Sequence, residues 1–199
     1  TCAAAMVAAK TIHKAGKPPK SVEFWFTCDE ETQGEDGARW LAQEGIIKGD
    51  VCVIGDSSGS TPTRPYIDVG CKGMIWTQIR AEGRTAHGST PYLGQNAIEK
   101  LLRIAPNIKE ISTHRLEVPQ GLKRVLRSSI DFLLSTGTLT AEQRRAAKRM
   151  YNYPTVALNT LNGGVKINVV PDTAEAGFDI RLTPGVDFER MKNQILRLI

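Results

Sequence analysis

The sequence predicts an α/β chain in two parts: an open α/β layer, then an α+β sandwich built on a largely antiparallel sheet. Two observations carry this. Up to residue 55, helical stretches alternate with short apolar runs through short links, the rhythm of an open layer. After residue 70, apolar residues recur at every second position between helical stretches, most strictly over 174–182, as in strands with one buried face.

Residues 1–15 read as an alanine-rich helix with Cys2, Ala5, Met6 and Ala9 on one face. Residues 21–27 are a short, aromatic-rich run that reads as a buried strand ending at an acidic cluster. A helix follows over 35–45, with Ala38, Leu41 and Ala42 inward and Gly45 as its C-terminal cap. Residues 50–55 read as the next apolar strand. Residues 57–70, rich in Ser, Gly, Thr and Pro, suit a linker or a site-lining loop. This divides the chain into domains 1–70 and 71–199.

In the second domain, 74–82 is a strand with Ile75, Thr77, Ile79 and Ala81 on one face. Residues 95–105 return to helix, with Ile98, Leu101, Leu102 and Ala105 inward. Two amphipathic helices, 121–135 and 140–150, read as an insertion over 118–150. The second opens at Thr140, an N-cap followed three residues later by Gln143. Strands are expected at 155–160, 164–169 and 174–182. The last turns Ala174, Ala176, Phe178, Ile180 and Leu182 to one face and Asp179 and Arg181 to the other. A helix over 187–199 closes the sequence.

Of the 199 residues, 41% are hydrophobic and 24% charged, a globular composition with enough apolar material for a core. No stretch approaches the roughly 20 apolar residues that span a bilayer, so no membrane association and a cytoplasmic location are the expectation. The net charge of +5 raises nucleic-acid binding as a reading. The cations are scattered, apart from a denser run between Lys123 and Arg149 at spacings of solvated helix faces, and a positive surface equally attracts carboxylate substrates, so no nucleic-acid partner is expected. Cys2, Cys28, Cys52 and Cys71 form no C-x-x-C pair, and buried reduced thiols are expected. Thr1 in place of Met, and the stripe Phe188, Met191, Ile195 and Leu198 running to Ile199, predict an internal piece of a longer chain.

Asp29, Glu30 and Glu31 stand where the first strand should end, the edge at which open α/β sheets hold ligands. Asp56 ends the next. From the residues alone, the cluster is either a solvated loop or a metal and acid–base site, and Asp56 either a hard oxygen ligand or the start of an Asx turn. His87 lies in a loop among small residues. Arg181 could pair with Asp179 or Asp172, and Asn168 could cap a turn before Pro171.

Four ordered motifs narrow these choices. They are Phe26-Thr27-Cys28-Asp29-Glu30-Glu31-Thr32-Gln33-Gly34; Val53-Ile54-Gly55-Asp56; Gly83-Arg84-Thr85-Ala86-His87-Gly88-Ser89-Thr90-Pro91 with Gly94-Gln95-Asn96-Ala97-Ile98; and Gly163-Gly164-Val165-Lys166-Ile167-Asn168-Val169-Val170-Pro171 with Asp179-Ile180-Arg181. Together they resemble the M20-type metallopeptidase and amidohydrolase family, which includes acetylornithine deacetylase, succinyl-diaminopimelate desuccinylase and carboxypeptidase G2. The resemblance implies part of an open α/β zinc-hydrolase catalytic domain followed by an α+β sandwich dimerisation, or lid, domain.

The resemblance also implies roles. Glu30 would be the general base toward a water held by two zinc ions (cobalt or manganese being possible), with Glu31 and Asp56 as one ligand for each ion. His87 would reach from the lid into the partner subunit's active site and stabilise an oxyanion. Asn168 and Arg181 would hold a small substrate with a free carboxylate. A homodimer through residues 71–199 is implied as well. The family's H-x-D motif, its bridging aspartate and its last histidine ligand have no counterpart in this sequence, so only two of five ligands are expected here. The fragment alone should then be inactive. Asp56-Ser57-Ser58 also departs from the Glu-Pro-Thr of many members.

The implied reaction is hydrolysis of the amide bond of an N-acyl amino acid or small peptide, with deacylation favoured over carboxypeptidase or dipeptidase action. A non-catalytic dimerisation or binding module is the alternative from a different class.

Overall fold

The computed structural model describes residues 2–32, 34–55, 67–135 and 137–199. It divides into two compact units, Thr1–Asp68 and Val69–Ile199.

The first unit holds two helices, α1 (Cys2–Ala15) and α2 (Ala38–Gln43). The alanine-rich composition suffices for α1 as a local helix, and none of its residues is buried. The cap expected at Gly45 is present: the Gly45 amide donates to the Ala42 carbonyl at 3.1 Å and the Ile46 amide to Leu41 at 2.9 Å, the paired bonds that close a helix C-terminus.

The strands expected over 21–27 and 50–55 are not formed. A strand needs a neighbour to satisfy its amides and carbonyls, and no ladder pairs these segments among the described residues. Their apolar side chains stay exposed, Val53 by 90%. The cysteines follow suit. All four are unbridged and exposed rather than buried, because Cys28 and Cys52 lie in or beside these unpaired runs.

The second unit contains β1 (Gly73–Glu82), β2 (Ala86–His87), α3 (Ala97–Glu110), α4 (Lys123–Ser135), α5 (Ala141–Arg149), β3 (Thr155–Gly163), β4 (Val169–Val170), β5 (Thr173–Leu182) and α6 (Phe188–Leu196). β5 lies centrally, antiparallel to both β1 and β3. Strict alternation explains why. Ala174, Ala176, Phe178, Ile180 and Leu182 are all buried, and they meet Ile75, Ile79 and Ala81 of β1 in one cluster with Leu101 and Ile108 of α3 and Met191 and Ile195 of α6. Helices cover this face, and the other carries polar residues together with the exposed Met74 and Trp76.

Two boundaries and the facing of one residue differ from expectation. The helix expected to stop at residue 105 runs on through Pro106 to Glu110. Proline costs about 3 kcal/mol inside a helix, but the next turns fully bury Ile108 and Ile111, about 1.5–3 kcal/mol each. Leu102, expected inward, is exposed. The strand expected at 164–169 is reduced to the two residues of β4, because the chain leaves β3 at Gly164 with φ +75°, a left-handed conformation that suits glycine. Thr140 and Gln143 form the expected reciprocal capping box.

Candidate functional site: two presenting turns and an ion-paired arginine

In the first unit, Glu30 and Glu31 sit in a single 3₁₀ turn, Glu30–Thr32, and the loop around it is stapled by Asp29. Asp29 adopts φ +66°, unusual for a residue other than glycine. Its carbonyl accepts the amides of Gly34 at 2.6 Å and Thr32 at 3.3 Å, and its carboxylate accepts the Asp36 amide at 3.0 Å. One acid of the expected cluster is therefore structural, and two are displayed. Glu30 lines a shallow cavity of about 200 Å³ with Thr27, Cys28, Gly34, Ala38 and Arg39. Arg39 is held by Glu35 at 3.1 Å.

In the second unit, His87 ends β2 and pairs across the short ladder with Val169. The Gly88 amide donates to the Asn168 carbonyl at 2.8 Å, so the two backbones are locked together and bring His87 and Asn168 side by side. The His87 carbonyl accepts the Thr90 amide at 2.9 Å, closing the turn. The ring is fixed as well. The Ser89 amide donates to Nδ1 at 3.2 Å, with the Ser89 hydroxyl 2.8 Å from the same atom. An amide can only donate, so Nδ1 is the acceptor and a neutral ring carries its proton on Nε2. His87 and Asn168 are both exposed. The sequence reading gave Ser89 no role, although it stands inside the quoted motif; only the turn geometry aims its amide at the ring.

Arg181 stands on the polar face of β5. Its Nε and Nη2 donate to the two carboxylate oxygens of Asp179 at 2.7 and 2.9 Å. These bonds hold the guanidinium above its ordinary pKa against the opposite pull of burial. Asp179 occupies the side edge of the fork and leaves Nη1 uncommitted, and a guanidinium can grip a second carboxylate by its end edge. Of the two pairings open in the sequence, the one with Asp179 is formed.

Asp56 lies outside the described residues. Among the described residues, no three or more His, Cys, Asp or Glu side chains gather closely enough to hold a metal ion, and catalytic zinc sites use about three protein ligands. Glu31 alone does not make such a site, so the residues described do not fit a complete metal centre. Nor is any described helix long and apolar enough to cross a membrane.

A three-stranded antiparallel sheet covered by helices on one face, with a histidine-bearing turn locked to an Asn-bearing one, defines an α+β lid-type domain. Residues 69–199 match the peptidase dimerisation domain of the M20 family, and the chain belongs to that family. M20 peptidases are metal-dependent hydrolases, generally of zinc. Over 173 residues the chain is 30% identical to a probable carboxypeptidase of Aspergillus clavatus, covering 87% of this chain and 35% of that protein. It is 27% identical to the acetylornithine deacetylase of Edwardsiella ictaluri, covering 93% and 40%. A metallo-carboxypeptidase of the M20 family from Sulfolobus solfataricus shares the fold with TM-score 0.57 at 19% identity, over 80% of this chain and 49% of that one. The chain thus spans 35–40% of the length of these two curated relatives.

Proposed function

We propose that the whole protein hydrolyses the amide bond of N-acyl amino acids or small peptides, as a metal-dependent homodimer joined through residues 71–199. Glu31 and Asp56 would each contribute a metal ligand, completed by residues outside this sequence. In the chain's own chemistry, Glu30 accepts the proton of the water that attacks the carbonyl carbon. It then passes that proton to the nitrogen as the C–N bond breaks, giving a carboxylate and an amine. His87 donates its Nε2–H to the carbonyl oxygen as negative charge develops there, in the partner subunit's site. Asn168 and the end edge of Arg181 hold the substrate and its free carboxylate.

The observation that carries this reading is the Ser89 amide on His87 Nδ1, because it leaves the ring the donor that an oxyanion needs. Deacylation is favoured by the acetylornithine deacetylase relative; carboxypeptidase action is the other reading, favoured by the Aspergillus relative.

The test is turnover by the full-length, metal-replete protein on N-acetyl and N-succinyl amino acids and dipeptides. Glu30→Gln should abolish turnover while metal content is unchanged, and His87→Ala should lower kcat by about 10²–10³. Turnover surviving Glu30→Gln removes the general-base role. Wild type failing on every substrate favours a non-catalytic dimerisation module.

A further inference from the structure

The outer face of the sheet changes its chemistry along its length. At one end the charges neutralise one another: Glu175 accepts from Gln78 Nε2 at 3.2 Å and pairs with Arg80 at 3.6 Å, which also approaches Glu82 at 3.8 Å. In the middle the floor is shallow, with Gly177 opposite Gln78 and Ala157 opposite Asp179. Beside it stand two exposed apolar side chains, Trp76 opposite Asp179 and Met74 opposite Arg181. Trp76 is 59% exposed, a large aromatic surface.

The other end is cationic. Lys72 directly precedes β1, and extending the register by one residue sets it opposite Thr183 and diagonal to Arg181, a separation of about 7–8 Å between backbones. It is half-buried, with its ammonium 5.4 Å from the centre of the Tyr151 ring. Burial first, and repulsion from Arg181 second, push its pKa below the ordinary 10.5. Asp179 is engaged by Arg181, and among the described residues no carboxylate pairs with Lys72. Lys72 thus adds a second cation beside Arg181 that no described carboxylate neutralises, an arrangement relieved by a further anion.

We propose that Lys72 joins Arg181 in seating the carboxylate of the substrate, while Trp76 and Met74 pack its apolar part, so that this face selects carboxylates carrying a flat or bulky apolar group. The proposal rests on the substrate-binding role given to Arg181 above and adds two specificity-determining residues to it.

Binding, rather than turnover, tests it. The full chain is titrated calorimetrically with N-benzoylglycine and with its uncharged amide. Wild type should prefer the carboxylate. Lys72→Met should cut that preference roughly 5- to 10-fold, corresponding to about 1–1.4 kcal/mol, and Lys72→Arg should retain most of it. Trp76→Leu should weaken acid and amide alike. Unchanged preference in Lys72→Met overturns the proposal, and if Arg181→Met abolishes the preference in the same series, the role of Arg181 survives without Lys72. Equal affinity of wild type for acid and amide overturns the seat altogether, while the hydrolase reading still stands or falls by Glu30→Gln turnover. Loss of binding in Lys72→Arg as well as Lys72→Met, with unchanged melting temperatures, also counts against a simple charge seat.

Discussion

Glu30 and His87 are both presented by tight turns, but the turns are anchored by different physics. The 29–36 loop closes on itself: the Asp29 carbonyl and carboxylate accept amides from residues at most seven positions away. The His87 turn hangs from a ladder to residues 168–170, about 80 positions on in sequence, and its neighbours connect to the buried cluster through α3. Every member of that cluster lies in the second unit. In the first, only Gly34 and Gly37 are buried among the described residues. A local hydrogen-bonded loop can hold a carboxylate in place without a core around it, whereas a two-residue ladder cannot stand alone.

The sharpest way to break this contrast is Phe178→Ala. Phe178 is 3% exposed at the centre of β5, between Thr77 and Leu158. The expected loss is about 3–5 kcal/mol from the second unit. Denaturant titration followed by hydrogen exchange should show β1, β3 and β5 opening earlier, with the amides of Gly34 and Asp36 unaffected. Equal loosening of both units would refute the separation.

Next in size is a matched pair of glycine substitutions. A Cβ at Gly37 would overlap the Cys28 carbonyl oxygen, and one at Gly83 would overlap that of Gln95. The local clashes are alike and the surroundings are not. Gly83 follows β1, and its amide bonds to Asp172 at 2.7 Å, so Gly83→Ala must displace packed elements at about 1–3 kcal/mol. Gly37→Ala should instead loosen only the 29–36 loop, read as faster exchange at Gly34 and Asp36 with no change in the unfolding midpoint of the sheet. A lowered midpoint in Gly37→Ala would mean that the loop is coupled to the core.

The same contrast explains what was legible in the sequence. β5 was readable to within a residue because its alternation and its burial are one fact: each of Ala174, Ala176, Phe178, Ile180 and Leu182 meets a single core. Thr140 and Gln143 were readable because a capping box is local. The runs 21–27 and 50–55 were misjudged because apolar composition states what a segment could bury, not whether a partner strand exists. The helix expected over 95–105 runs on to Glu110 because the burial of Ile108 and Ile111 outweighs the cost of Pro106. For the candidate site, the motifs singled out Glu30, Glu31, His87, Asn168 and Arg181 as candidates. They could not show that Asp29 serves the loop, that Ser89 sets the tautomer of His87, or that Trp76 shares a face with Arg181. Each of those depends on a turn or a register.

The smallest effect expected is electrostatic and confined to the second unit. Lys72 neighbours Arg181 of β5 and the ring of Tyr151, which follows α5, and its native pKa lies below 10.5. Between that lowered value and 10.5 the native chain binds fewer protons at Lys72 than the unfolded chain does, so its contribution to stability rises with pH through this window. Below the window both states are protonated, and the charged ammonium costs the fold its burial and its repulsion from Arg181. Lys72→Met should therefore be at least as stable as wild type at neutral pH, with the difference shrinking as pH climbs toward 10.5. Denaturation midpoints of the two proteins, compared at matched pH, check this. A variant less stable than wild type at neutral pH would mean that the contact of Lys72 with the Tyr151 ring, worth about 0.5–1 kcal/mol in partly exposed settings, outweighs the cost of crowding two cations at the end of the sheet.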